Sequence, residues 1–230
     1  MDRQTYRRIE NYMRDCMGDS AHDCEHVRRV LYAALDIAAH EPEPVDFDVL
    51  TAACLLHDIG RQEQFRNPRL CHAAVGAEKA RRYLLENGFA EPFAGAVADC
   101  IRAHRFRSDS PPQSVEAKIL FDADKLDVTG ATGIARTLFY QGQAGDPLYT
   151  LRPDGRISDG AGDARPSFFR EYKFKLEKLY TKFYTGRGAA LAAERQAAAA
   201  AFYRSLLSEA RSCCDTGGEL LEKHVFPAGA

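Results

Sequence analysis

The strongest constraint on this chain is one contradiction that occurs five times. A helical apolar stripe carries an ionisable side chain where the period asks for hydrocarbon. The sharpest case is TAACLLHDIGR, residues 51–61. Leu50, Ala53, Cys54 and His57 have i, i+3, i+4, i+7 spacing, so the His57 imidazole continues a buried stripe and Asp58 points about 100° further round the axis. Gly60 is expected to end this helix in the left-handed conformation. His26 lies one turn before Val30, and His72 shares a face with Gly76 and Tyr83. His104 continues Val97, Cys100 and Ile101, and Asp124 continues Ala117, Leu120 and Phe121. Burying a single unpaired ionisable group costs several kcal/mol. Five such groups on five helices therefore imply that they meet, and that they satisfy one another or a shared ion.

Imidazole and carboxylate suit zinc, iron, manganese, cobalt or nickel, and the lack of convergent thiolates argues against a structural cysteine-type zinc site. The minimal ligand set is His26, His57, Asp58 and Asp124, which leaves positions for water and substrate oxygens, as a catalytic ion requires. His72 and His104 could complete a second ion with Asp58 as the bridging carboxylate. Alternatively they could hydrogen-bond a substrate phosphate or protonate a leaving oxygen. The string DADKLD adds Lys125, either a phosphate contact or a solvated lysine, and Asp127 one turn on. Asp122 and Asp127 are candidates to orient ligands from behind, as is His22, four residues before His26, which could also be a ligand itself. Arg61, with Arg66 and Arg69 beyond it, could clamp a phosphate or simply solvate a loop.

The rest of the pattern is helical throughout, and an all-α fold is expected. Helices are predicted over 5–17, after a cap-like segment at 19–23 with apolar positions from Val27 to Ala38, from 46 or 47 to the His-Asp pair, over 72–86 and over 92–104. Residues 115–139 read as one helix or two abutting ones, and 168–184 and 188–213 as two more. The stretch after Gly60 reads as a polar loop, and 141–166, rich in Gly, Asp and Pro, as a mobile one. The expectation is a single domain over 1–230: a helical-bundle core at about 20–140, the loop, and a C-terminal helical pair at about 167–213. With 31 Lys+Arg against 33 Asp+Glu, no global basic excess exists to bind nucleic-acid backbones, so an anionic substrate must be attracted locally. Seven cysteines and the start MDRQTYRRIE point to reduced thiols and a cytoplasmic protein. No apolar run approaches the roughly 20 residues of a membrane span.

The order His26, then His57-Asp58, then Asp124 resembles the signature of the HD superfamily of metal-dependent phosphohydrolases. The strings HDCEHVRRV, AACLLHDIG, EAKILFDADKLDVTGATGIAR and KLEKLYTKFYTGRGAALA are similar, nearly end to end, to those of small bacterial stand-alone HD proteins of the YedJ-like type. The resemblance implies an all-helical HD domain, a divalent transition metal on the residues matching His26, His57, Asp58 and Asp124, and phosphoester chemistry. In nucleotide-cleaving relatives the lysine after the last metal-binding aspartate touches phosphate, which implies that role for Lys125. Relatives acting on guanosine alarmones or deoxynucleoside monophosphates carry an acidic residue where this chain has Arg61, which argues against both substrates. The segment HAAVGAEKA resembles the third-histidine segment of two-metal HD domains, but of the paired histidines expected further on only His104 is present.

The expected function is hydrolysis of a small-molecule phosphomonoester or phosphodiester, of a nucleotide, by metal-activated water. Asp58 would position the attacking hydroxide, and His72, His104 or Lys125 would stabilise charge. Two further classes fit the same residues: a non-catalytic nucleotide sensor, and a di-iron oxygenase of the HD type. Metal stoichiometry and turnover across a phosphate panel separate the three. The sequence sets no oligomeric state.

Overall fold

A computed structural model describes residues 1–17, 24–105 and 111–226. The described residues form helices and no sheet, with one isolated antiparallel bridge between Leu151 and Ile157, so the fold is all-α as predicted. The chain divides into two compact units, Met1–Asp127 with Lys182–Leu191, and Val128–Thr181 with Ala192–Ala230.

The first unit contains α1 (Arg3–Cys16), α2 (Cys24–Ala38), α3 (Phe47–Leu56), α4 (Arg61–Arg66), α5 (His72–Glu86), α6 (Glu91–Ala103) and α7 (Val115–Leu126). Its axis is α3. Asp46 caps that helix by accepting from the amides of Asp48 and Val49, and Val49, Leu50, Ala52, Ala53, Cys54, Leu55 and Leu56 are all buried. A helix apolar on every side belongs inside a bundle, and α3 packs against α1, α2, α5, α6 and α7. The residues just past its last turn are therefore delivered to the middle of the unit.

Those residues are His57, Asp58, Ile59 and Gly60. Gly60 does not adopt the expected left-handed conformation. Its φ is −93° and its ψ 2°, and it begins α4, a helical turn where a loop was expected. The need for glycine here is steric. A Cβ at Gly60 would stand 2.3 Å from the His72 carbonyl oxygen and 2.7 Å from the Gly76 amide nitrogen. Two glycines thus let the turn carrying His57 and Asp58 lie against the first turn of α5, which carries His72.

The predicted 115–139 helix is two, since α7 ends at Leu126 and α8 (Gly130–Ala144) begins the second unit's helices. Gly130, at φ 61°, makes that break. Next come α9 (Phe168–Phe174), a 3₁₀ turn at Leu176–Thr181, and α10 (Gly186–His224), whose first residues belong to the first unit. The predicted helix over 168–184 breaks at Lys175, with φ −123° and ψ −60°. Helix α10 runs past the expected end at Cys213, through Gly217 and Gly218. Ile134, Ile157, Phe168, Phe169, Tyr172, Leu176, Leu179, Ala199 and Tyr203 form the core of the second unit. Residues 145–167 contribute Ile157 to it and are cross-tied internally by Asp163, which accepts from Thr150 Oγ1 and Ser158 Oγ at 2.6 and 2.8 Å. Among the described residues no helix is long and apolar enough to cross a membrane.

Candidate metal centre

Four imidazoles and two carboxylates converge in the first unit. His26 comes from α2, His57 and Asp58 from the end of α3, His72 from the start of α5, His104 from the end of α6, and Asp124 from α7. The four histidines and Asp58 are buried, whereas the Asp124 side chain is 26% exposed and leaves this side of the cluster open to solvent.

In each ring Nδ1 donates to a fixed acceptor. His57 Nδ1 reaches the Cys54 carbonyl at 2.8 Å and His104 Nδ1 the Ile101 carbonyl at 2.6 Å, each using an oxygen from the last turn of its own helix. His26 Nδ1 reaches Asp127 Oδ2 at 2.7 Å and His72 Nδ1 reaches Gln64 Oε1 at 3.0 Å. Committing Nδ1 as donor leaves Nε2 as the ring's lone-pair donor in the neutral form. All four Nε2 atoms face Asp58.

The two Asp58 oxygens divide the histidines between them. Oδ2 lies 3.6 Å from His26 Nε2 and 3.7 Å from His57 Nε2. Oδ1 lies 3.7 Å from both His72 Nε2 and His104 Nε2. Asp124 Oδ1 joins the first group, 3.3 Å from His26 Nε2 and 3.9 Å from His57 Nε2, and the two Nε2 atoms are 3.3 Å apart. Four ligands held tetrahedrally at about 2.1 Å from one ion stand roughly 3.4 Å from each other, so these five spacings suit a single transition-metal ion, with His26, His57 and Asp58 as its buried core. The donor chemistry agrees: imidazole with carboxylate, no thiolate. In the second group, His72 Nε2 and His104 Nε2 are buried and have no hydrogen-bond partner among the described residues, and that cost is removed when such atoms meet a cation or a substrate proton.

The charges are arranged unevenly. Burial opposes a proton on His26, but the hydrogen bonds it donates to Asp124, Asp127 and Asp58 outweigh it and raise its pKa to about 10. Burial pushes His57 down to about 4. Burial and then the Arg61 charge push His72 down to about 3. Burial works against the Asp124 carboxylate, yet the His26 hydrogen bond and the surrounding imidazoles hold it far below the usual carboxylate range. Without an ion the first group is an imidazolium clasped by carboxylates. Loading a metal must release the His26 proton.

The other candidates are spread around this cluster and beyond it. Arg61 Nε donates to Asp58 Oδ1 at 2.8 Å, so the arginine sits at the cluster rather than on a solvated loop. Asp127 holds His26 from behind and is itself gripped by Arg29, Nε to Oδ1 at 2.7 Å. Asp122 bonds elsewhere: its carboxylate accepts from the Tyr184 and Thr185 amides and from Thr185 Oγ1, tying residues 184–185 to α7. Lys125, for which a phosphate contact is one expectation, follows Asp124 on α7. Its ammonium is buried, donates to the Lys182 carbonyl and lies 4.0 Å from the Phe121 ring centroid, and burial lowers its pKa to about 8. His22 lies outside the described residues. Sequence reasoning missed Gln64 and Arg29. Arg29 had a signal, since it stands one turn after His26 on the same helix, whereas Gln64 had none.

The HD domain family matches over residues 24–129. The uncharacterized protein YpgQ of Bacillus subtilis (strain 168) is 31% identical over 193 residues, 81% of this chain and 83% of that protein. The crystal structure of B. subtilis YpgQ in complex with ADP aligns with TM-score 0.69 at 26% identity, covering 89% of this chain and 97% of that one. A predicted HD superfamily hydrolase from an uncultured Thermotogales bacterium aligns with TM-score 0.60 at 30% identity, over 88% and 91% of the two chains. Likeness in sequence and in fold extends well beyond the matched segment, and its residues 24–129 hold His26, His57, Asp58 and Asp124; the chain belongs to the HD-domain family.

Proposed function

We propose that the chain is a metal-dependent phosphohydrolase that cleaves a phosphomonoester or phosphodiester of a nucleotide. The observation that carries this reading is the orientation of the rings: four imidazoles, each fixed through Nδ1, turn Nε2 onto the two oxygens of one carboxylate. His26, His57, Asp58 and Asp124 would hold a divalent ion of the manganese, nickel, zinc, cobalt or iron kind. When bound, such an ion lowers the pKa of a water beside it toward about 7 and offsets phosphate charge.

The remaining work falls to the protein's own groups. Asp58 aligns the attacking water through hydrogen bonds to its carboxylate. His72 and His104, buried and with Nδ1 committed to Gln64 and Ile101, present Nε2 acceptors that hold that water's protons and fix its direction. Arg61, with Nε on Asp58, carries Nη groups able to pair with a phosphate oxygen. A nucleotide is favoured because a relative that matches this chain nearly end to end was crystallised with ADP.

The test is a screen of nucleotides and model phosphoesters against protein reconstituted separately with manganese, nickel, zinc and ferrous iron. His57→Ala and Asp124→Ala should lose bound metal and turnover together. Turnover that persists in metal-free His57→Ala rejects the proposal.

A further inference from the structure

The second group of donors already has a cation. Asp58 Oδ1, the oxygen 3.7 Å from both His72 Nε2 and His104 Nε2, accepts from Arg61 Nε at 2.8 Å. We propose that Arg61 takes the place of a second metal ion in this chain, so that the centre binds one ion and the guanidinium supplies the second positive charge that a phosphate ester meets. The proposal rests on the first group being a metal site.

Three features support it. The arginine is delivered by the same turn that carries the ligands: the Arg61 amide donates to the Asp58 carbonyl at 3.0 Å, and only Ile59 and Gly60 separate the two residues. Its position is therefore set locally, with little freedom to swing away. A guanidinium also keeps its charge at any ordinary pH, so it cannot yield to an arriving cation by losing a proton as a lysine or histidine could. A divalent ion on Oδ1 would stand close to it in a buried setting, where like charges repel far more than in water. Finally, the Arg61 side chain is 28% exposed and Nε is the atom committed to Asp58, which leaves its outer face reachable for a planar, two-point contact with phosphate oxygens. His72 and His104 then keep their Nε2 atoms as acceptors for the attacking water rather than as ligands of an ion.

The experiment counts ions. Metal-free wild type, Arg61→Gln, His72→Ala and Arg61→Gln/His72→Ala are dialysed against manganese. Ions per chain are measured by mass spectrometry, and spin coupling between paired ions by electron paramagnetic resonance. Wild type and His72→Ala should each hold one ion without coupling. Arg61→Gln should hold two coupled ions, the second at least about tenfold tighter than any second binding to wild type, and the double variant should return to one. Two coupled ions in wild type, loss of an ion in His72→Ala, or an Arg61→Gln protein that stays at one ion overturns the inference alone. A wild-type chain that takes up no manganese, nickel, zinc or iron overturns the metal-site reading beneath it as well.

Discussion

Replacing Gly60 with alanine tests how the site is assembled without touching any ligand. The backbone at Gly60 is one that alanine accepts readily, so the cost comes from contact alone. The new methyl would lie 2.3 Å from the His72 carbonyl oxygen, 2.7 Å from the Gly76 nitrogen and 3.2 Å from the Gly76 Cα, against ordinary contacts of 3.4–4 Å. All three are backbone atoms of one helix, so no side chain can rotate aside and the first turn of α5 must retreat by about 1 Å. Overpacking of this kind costs about 1–3 kcal/mol, and rigid neighbours put it at the upper end. The lost backbone freedom of the unfolded chain returns about 0.4–1 kcal/mol. A net loss of roughly 2 kcal/mol is expected. Gly95→Ala is the control: it lies inside α6 with nothing within 4 Å of its would-be Cβ, and it should gain up to about 1 kcal/mol from helix propensity. The two variants should therefore differ by roughly 3 kcal/mol in urea unfolding of the metal-free protein monitored by circular dichroism. A difference below about 0.5 kcal/mol would show that α5 gives way freely and that the close approach sets nothing.

Two further outcomes come from carboxylates that hold other residues in place. Asp127→Asn removes the charge that holds His26 Nδ1 and pairs with Arg29, and metal affinity should fall by about 10–100-fold with helix content unchanged; an affinity within twofold of wild type in a competition assay with a chelating dye contradicts this. Asp122→Ala strands the Tyr184 and Thr185 amides and Thr185 Oγ1, and should cost at least about 2 kcal/mol in denaturant unfolding; an unchanged midpoint would mean that the 184–185 segment is held by something else.

The features legible in the sequence divide from the rest along physical lines. Side-chain period needs only local geometry, so the burial of His26, His57, His72 and His104 was visible in the spacing of apolar residues around them. Their convergence was legible because five buried charges have few ways to be tolerated. The all-helical class came from the same periods. The rest depends on directions and distances that a one-dimensional pattern does not hold. The position of Gly60 after a helix suggests a turn role, whereas its cause is the backbone of residue 72, whose carbonyl oxygen a Cβ would meet at 2.3 Å. Lys125 follows Asp124 directly, but adjacent residues on a helix face different ways, and its ammonium meets a carbonyl 57 residues further on. Asp122 likewise finds its partners 62 and 63 residues away. The continuation of α10 through Gly217 and Gly218 runs against local propensity, and nothing in the structure explains it.

The way the four rings are aimed sets an order of failure. His57 and His104 lean on carbonyls three residues back along their own helices, so they stay aligned for as long as those helices exist. His26 relies on an aspartate 101 residues away, and His72 on a glutamine in a neighbouring helical turn. Warming or mild denaturant that merely loosens α2 from α7 would release His26 first, while circular dichroism still shows an intact bundle. Retention of an ion at the proposed centre would thus be the early alarm for this fold, failing while the helicity still reads as sound.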